Sequence, residues 1–143
     1  MRPLVIQSCA ETLQALTGRP YYIAEDLIEV TQDANAYVAL SGNLCLFTAR
    51  LSKIAHNLRL QASGPRAGLA QYRLPKMQPD SSIMPGKVNP VILEVVNQAC
   101  FHVMGINTAI VMASENAQLQ FNVFEPVIAF NLFTGISMMI TTV

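Results

Sequence analysis

The chain has 143 residues, enough for one domain with a sizeable core, and 9 Lys+Arg balance 9 Asp+Glu to a net charge of zero. The basic residues form no stripe, which excludes nucleic acid as a natural partner. The chain is 52% hydrophobic and 13% charged, about half the charge of an ordinary soluble domain. That leaves a membrane protein, a deeply buried helical protein, or a piece of a larger assembly.

No uncharged apolar run of about 18 residues, the length a span needs, precedes the C-terminal end. The apolar segment 127–143 is interrupted by Asn131 and by Thr and Ser, so burial against other helices is expected, with no membrane. The start, Met1-Arg2-Pro3-Leu4, has no signal-peptide pattern. Cys9, Cys45 and Cys100 are odd in number and far apart. They read as buried thiols in a reducing, cytoplasmic compartment and as neither a disulfide nor a zinc framework.

In chain order, residues 4–17 predict a short helix, stopped by Thr17-Gly18-Arg19-Pro20. A second helix is expected to start near Ala24-Glu25-Asp26, where acids suit the helix dipole. Tyr37, Leu40, Leu44, Phe47, Leu51, Ile54 and Leu58 then recur at alternating steps of 3 and 4. This a/d seam predicts a long bundle helix. Lys53, His56, Asn57 and Arg59 fall off the seam, and the helix stops by Ser63-Gly64-Pro65-Arg66.

Residues 61–90 are rich in proline and glycine. A connection of this length is expected to be functional or to carry local structure of its own. A third long helix follows Asn89-Pro90, with Pro90 suited to a first helical position. Leu93, Val96, Cys100, Val103, Asn107 and Ile110 lie on one face, and Ile92, Val95, Ala99 and Ile106 on another, so it should be buried on two sides. A polar stretch at 114–122 precedes a last helix from about Val123, with Pro126 in its first turn. That helix has no stop signal, so truncation in mid-helix is expected. No strand-type alternation persists, and the fold class is all-α.

The stretch Ser81-Ser82-Ile83-Met84-Pro85-Gly86-Lys87-Val88-Asn89-Pro90 carries the chemistry. Gly86 lets backbone N–H groups approach an anion. Lys87 is a mobile positive charge, and Asn89 offers donor and acceptor. Asn89-Pro90 then opens a helix N-terminus, which favours negative charge. A serine there can act as nucleophile or base if its alkoxide is stabilised. By composition alone, these residues also fit an ordinary surface loop.

The order of the residues resembles the signature loop of the fumarase/aspartase superfamily, Gly-Ser-Ser-x-Met-Pro-x-Lys-x-Asn-Pro. The resemblance extends to Ala24-Glu25-Asp26-Leu27 with Thr31-Gln32, and to Ser63-Gly64-Pro65-Arg66-Ala67-Gly68-Leu69. It continues through Glu94-Val95-Val96-Asn97-Gln98, Ser114-Glu115 with Gln118-Leu119, and Asn122-Val123-Phe124-Glu125-Pro126-Val127. Val91-Ile92-Leu93-Glu94 after the loop is similar to the aspartase members rather than the fumarases.

The resemblance implies long antiparallel helices of a bundle core and loss of ammonia from L-aspartate to give fumarate, with no organic cofactor and no metal. Ser81 matches the base that removes the proton beside the β-carboxylate. Loop amides at Ser82, Ile83 and Met84 match part of the stabilisation of the doubly charged intermediate. Lys87 and Asn89 match substrate-carboxylate contacts. Glu94 matches an acid that orients a histidine from another subunit, while its first-turn position also suits the helix dipole. Ser82 equally fits hydrogen bonding within the loop. His56 and His102 are read as helix-surface or interface residues.

The family site is assembled from three regions on three subunits of a homotetramer, of which this chain carries the third. The other two, and a C-terminal small domain, are expected outside it. The chain is thus expected to be a partial central bundle domain, inactive alone, with exposed apolar faces and self-association. The family glycine before the serines is Asp80 here, a negative charge that opposes alkoxide formation. Ala117 likewise stands where aspartases tend to have glycine. A fumarase or other superfamily lyase, and a non-catalytic oligomerising remnant, are the alternatives.

Overall fold

The computed structural model describes residues 3–78, 83–84 and 87–143. They form five helices: α1 (Pro3–Thr17), α2 (Leu27–Gln32), α3 (Asn35–Gln61), α4 (Val91–Glu115) and α5 (Glu125–Thr142). The all-α expectation holds. α3 packs on α4 and α4 on α5, while α3 and α5 touch only lightly. Pairings such as Ser41 with Asn107 and Ser52 with Asn97 run in opposite order along the two helices, so α3 and α4 are antiparallel. Buried Ile110 meets Ile128 and Leu132, and Cys100 and Val103 meet Met139, so α4 and α5 are antiparallel too.

α1 ends as its sequence dictates, with Gly18 at φ 67° and its N–H donating to Gln14 O at 2.9 Å. The second predicted helix is split in two. Asp26 caps α2 by accepting from the N–H groups of Ile28 and Glu29. Asp33 then turns extended, and its carboxylate accepts from Asn35 N at 3.1 Å. A short acid that competes for backbone donors thus ends one helix and starts the next.

The apolar seam of α3 is not its packed face. Tyr37, Leu40, Phe47 and Ile54 are about half exposed, and only Leu44 and Leu51 reach the core. The buried stripe is made of small residues, Ser41, Thr48, Ser52 and Ala55, which let α4 come close. Its hydroxyls have partners: Thr48 Oγ1 donates to Cys45 O at 2.8 Å, and Ser41 Oγ to Asn107 Oδ1 at 2.8 Å. A buried hydroxyl without a partner would oppose packing.

α4 is buried along one broad side rather than two. Asn97, Ala99, Cys100, Val103, Ile106, Ile110 and Ala113 are covered, whereas Ile92, Val95, Phe101 and Met112 are exposed. Among the described residues α4 is the one helix long and apolar enough to cross a membrane, where the sequence had pointed to the last segment. Its buried face, with a hydrogen-bonded Asn97 and neighbours on α3 and α5, is that of a bundle core helix. The cysteines differ from the expectation of three buried thiols. Cys100 is buried, Cys45 is half-buried and Cys9 is exposed on α1. Burial pushes the Cys100 thiol up from its ordinary value, against a smaller opposing pull from the Ser52 backbone.

The polar stretch closes α4 and starts α5. Asn116 Nδ2 donates to Met112 O at 2.7 Å. Asn122 is buried between the helices, its Nδ2 donating to Ala113 O and its Oδ1 accepting from Phe124 N. The positive φ of this turn falls on Leu119, at 54°. Ala117 needs no such conformation, so the missing glycine leaves no strain there. Pro126 occupies the first turn of α5, as its fixed φ favours.

Gly135 is buried in α5. A methyl there would meet Leu44 Cδ2 at 3.4 Å and Val103 Cγ1 at 3.7 Å, which is ordinary contact. Gly135→Ala is therefore expected to stabilise the bundle by about 0.5–1 kcal/mol, read as a higher melting temperature. A lower one would show that the α3–α5 gap is already closed.

Candidate active site

The C-terminal end of α3, the segment 62–76 and the start of α4 line a cleft of about 1090 Å³. α3 ends in a tight doubled-back loop. Ala70 N donates to Ser63 O at 2.7 Å and Gln71 N to Gln61 O at 2.8 Å. Gly64, at φ 149°, adopts a conformation open to glycine. The loop returns residues 70–76 along the cleft as one wall. Among the described residues, Arg59, Arg73 and Lys76 line it against a single carboxylate, Glu94. That balance favours an anionic ligand.

Of the sequence-predicted residues, Asn89 and Glu94 line this cleft. Glu94 sits in the first turn of α4, with its N–H donating to Pro90 O at 3.1 Å. Pro90 therefore occupies the N-cap, one residue before the first helical position expected for it. Lys87 N donates to Met84 O at 3.2 Å. Ile83 and Met84 are exposed, Ile83 at 84%, and neither lines the cleft. Ser81 and Ser82, with Asp80, lie outside the described residues.

The structure adds residues that sequence reasoning did not assign to the site. His56 and Arg59 also line the cleft. Arg59 Nη2 donates to Glu94 Oε1 at 3.3 Å, and its Nη1 lies 3.5 Å from Asn97 Oδ1. Asn97, 2% exposed, donates through Nδ2 to the backbone oxygen and the hydroxyl of Ser52, each at 3.0 Å. His56 Nδ1 is 3.0 Å from both Asn97 Nδ2 and Ser52 O. If it accepts from Asn97, its proton is on Nε2. The ring also leans on Phe101, with centroids 6.1 Å apart. The usable signal was spacing: 56 and 59 on α3, 94 and 97 on α4, each pair three apart and so on one helix face. Among the described residues, no group of three or more His, Cys, Asp or Glu could hold a metal ion.

Fold and cleft together define a helical-bundle segment with a polar cleft at one end. Residues 1–105 match the family model described as lyase, and the chain belongs to that family. It is 60% identical over 121 residues to an aspartate ammonia-lyase of Helicobacter pylori, covering 85% of this chain and 26% of that protein. It is 49% identical over 137 residues to the aspartate ammonia-lyase of Bacillus subtilis, covering 96% of this chain and 29% of that one. A fumarate lyase:delta crystallin from Brucella melitensis superposes with a TM-score of 0.85 at 45% identity, over 93% of this chain and 31% of that one. The chain thus spans little more than a quarter of the length of the curated relatives it matches. The resemblance read from the serine loop holds for the family and for the aspartate ammonia-lyases within it.

Proposed function

We propose that this chain is the central-bundle segment of an aspartate ammonia-lyase, converting L-aspartate to fumarate and ammonia. The observation that carries this reading is the cationic cleft: Asn89 and Glu94 stand on its wall directly after the serine loop. In this reading Ser81, as alkoxide, takes the proton from the carbon beside the β-carboxylate. The electron pair moves into that carboxylate and makes a doubly charged aci-carboxylate. Its collapse forms the double bond, breaks the C–N bond and releases ammonia. The proton is weakly acidic, so the step depends on positive charge and N–H groups placed around the developing charge. Lys87, Asn89 and the amides of Ser82, Ile83 and Met84 supply them.

The remaining substrate contacts, and the histidine that Glu94 would orient, are assigned to other subunits of a homotetramer and to sequence beyond these residues. The exposed apolar seam of α3 and the exposed Phe130, Phe133 and Ile140 of α5 support such an assembly, since contiguous apolar surface marks interaction faces. The chain alone is then inactive. The free cysteines support a reducing, cytoplasmic setting.

A full-length hybrid tests this. Residues 1–143 replace the matching segment of the Bacillus subtilis enzyme, and fumarate absorbance is followed with L-aspartate or L-malate. Aspartate-dependent fumarate from an oligomer is the expected result. Malate-dependent fumarate instead would make the segment fumarase-like. An assembled, folded hybrid inert to both substrates would favour a non-catalytic remnant, for which Asp80 speaks, and a monomer would overturn the assembly.

A further inference from the structure

Two rungs cross the α3–α4 interface beside the cleft. His56 faces Asn97 on one, and Arg59 faces Glu94 on the other. Ser52 O, Ser52 Oγ and His56 Nδ1 all lie 3.0 Å from Asn97 Nδ2 and fix the amide, which turns Oδ1 toward Arg59 Nη1 at 3.5 Å. Arg59 in turn holds Glu94 Oε1 at 3.3 Å. The pair is about one-third exposed on each side, its contacts are long, and Arg59 Nε is buried with no partner among the described residues. An ion pair of this kind adds little to folding, and an orphaned donor subtracts from it. The arrangement does do one thing well: it ties one oxygen of Glu94 to α3 and leaves the other for the cleft.

We propose that Arg59, itself held by Asn97 and Ser52, is a positioning residue that fixes the Glu94 carboxylate on the cleft wall. The proposal rests on the lyase reading of Glu94. A glutamate in a first helical turn has several rotamers, and only one of them presents Oε2 steadily to a donor arriving from elsewhere in the site. Loss of alignment of this kind lowers the rate of the chemical step rather than substrate affinity.

The hybrid described above supplies the test. Arg59→Gln is expected to lower kcat by about tenfold or more with KM within about threefold. Arg59→Lys should recover little, because one ammonium cannot serve Asn97 and Glu94 together. In a Glu94→Gln background, Arg59→Gln should cost less than about twofold further, since both changes break one unit. Unchanged kcat with Arg59→Gln, or fully additive losses, would overturn the proposal. Melting temperature should stay near that of the parent throughout, which separates positioning from folding. Crystal structures of the parent and Arg59→Gln hybrids decide the matter independently of turnover. Glu94 displaced in the variant supports the proposal, and Glu94 unmoved sinks it. An inactive parent hybrid with a displaced Glu94 would count against the lyase reading alone.

Discussion

Ser81→Ala in the hybrid is expected to lower kcat for fumarate formation by about 10³-fold and to leave KM for L-aspartate within about threefold, because in the proposed mechanism the hydroxyl acts only in the proton-transfer step. The argument rests on acidity. A proton beside a carboxylate is removed only by a strong base whose product charge is stabilised as it forms, and alanine offers no base. In the proposed reading the first serine of Ser81-Ser82-Ile83-Met84 is the base and the second belongs to the loop, so Ser82→Ala should cost far less. A Ser81→Ala hybrid with kcat within tenfold of the parent would hand the base to another group. Asp80→Gly provides the sign check. Removing a negative charge beside the alkoxide should raise kcat if that charge opposes ionisation. No change would mean that solvent screens it.

The helices were legible where local chemistry decides them. Gly18 stops α1 and Pro126 starts α5 because a positive φ and a fixed φ are properties of single residues. The break at Asp33–Ala34 was not legible, because it depends on a side chain competing with a backbone that could otherwise have continued helical. The heptad seam of α3 is periodic in the sequence, yet periodicity does not say which partner covers it. Within this chain α4 takes the stripe of small residues, Ser41, Thr48, Ser52 and Ala55, and the large apolar residues face outward. The site divides the same way. Asn89 and Glu94, in and just after the serine loop, are singled out from the sequence, and both line the cleft. His56, Arg59 and Asn97 lie on separate helices, and only the antiparallel register of α3 on α4 brings them together.

The register also explains why one small residue in the loop after α3 should matter more than any single polar contact in the site. The backbone of Gly68 lies directly against that of Ser63 and Gly64, and a Cβ added there would collide with the Ser63 carbonyl and the Gly64 nitrogen. These are main-chain atoms, so no side chain can swing aside. Ser63 cannot yield either. Its carbonyl accepts from Ala70 N at 2.7 Å, its hydroxyl donates to Leu60 O at 2.5 Å, and that same hydroxyl accepts from Leu69 N at 3.3 Å. The loop must open, and residues 70–76 move with it. Gly68→Ala is therefore expected to destabilise the protein by about 2–3 kcal/mol, the scale of overpacking against a rigid neighbour. Unlike a core substitution, it should also raise KM, because Arg73 and Lys76 ride on the displaced wall. Thermal melting and steady-state kinetics of the hybrid read the two effects separately. A Gly68→Ala hybrid that melts with the parent would show that the loop is held from elsewhere. One that loses stability with KM unchanged would show that Arg73 and Lys76 take no part in holding the substrate.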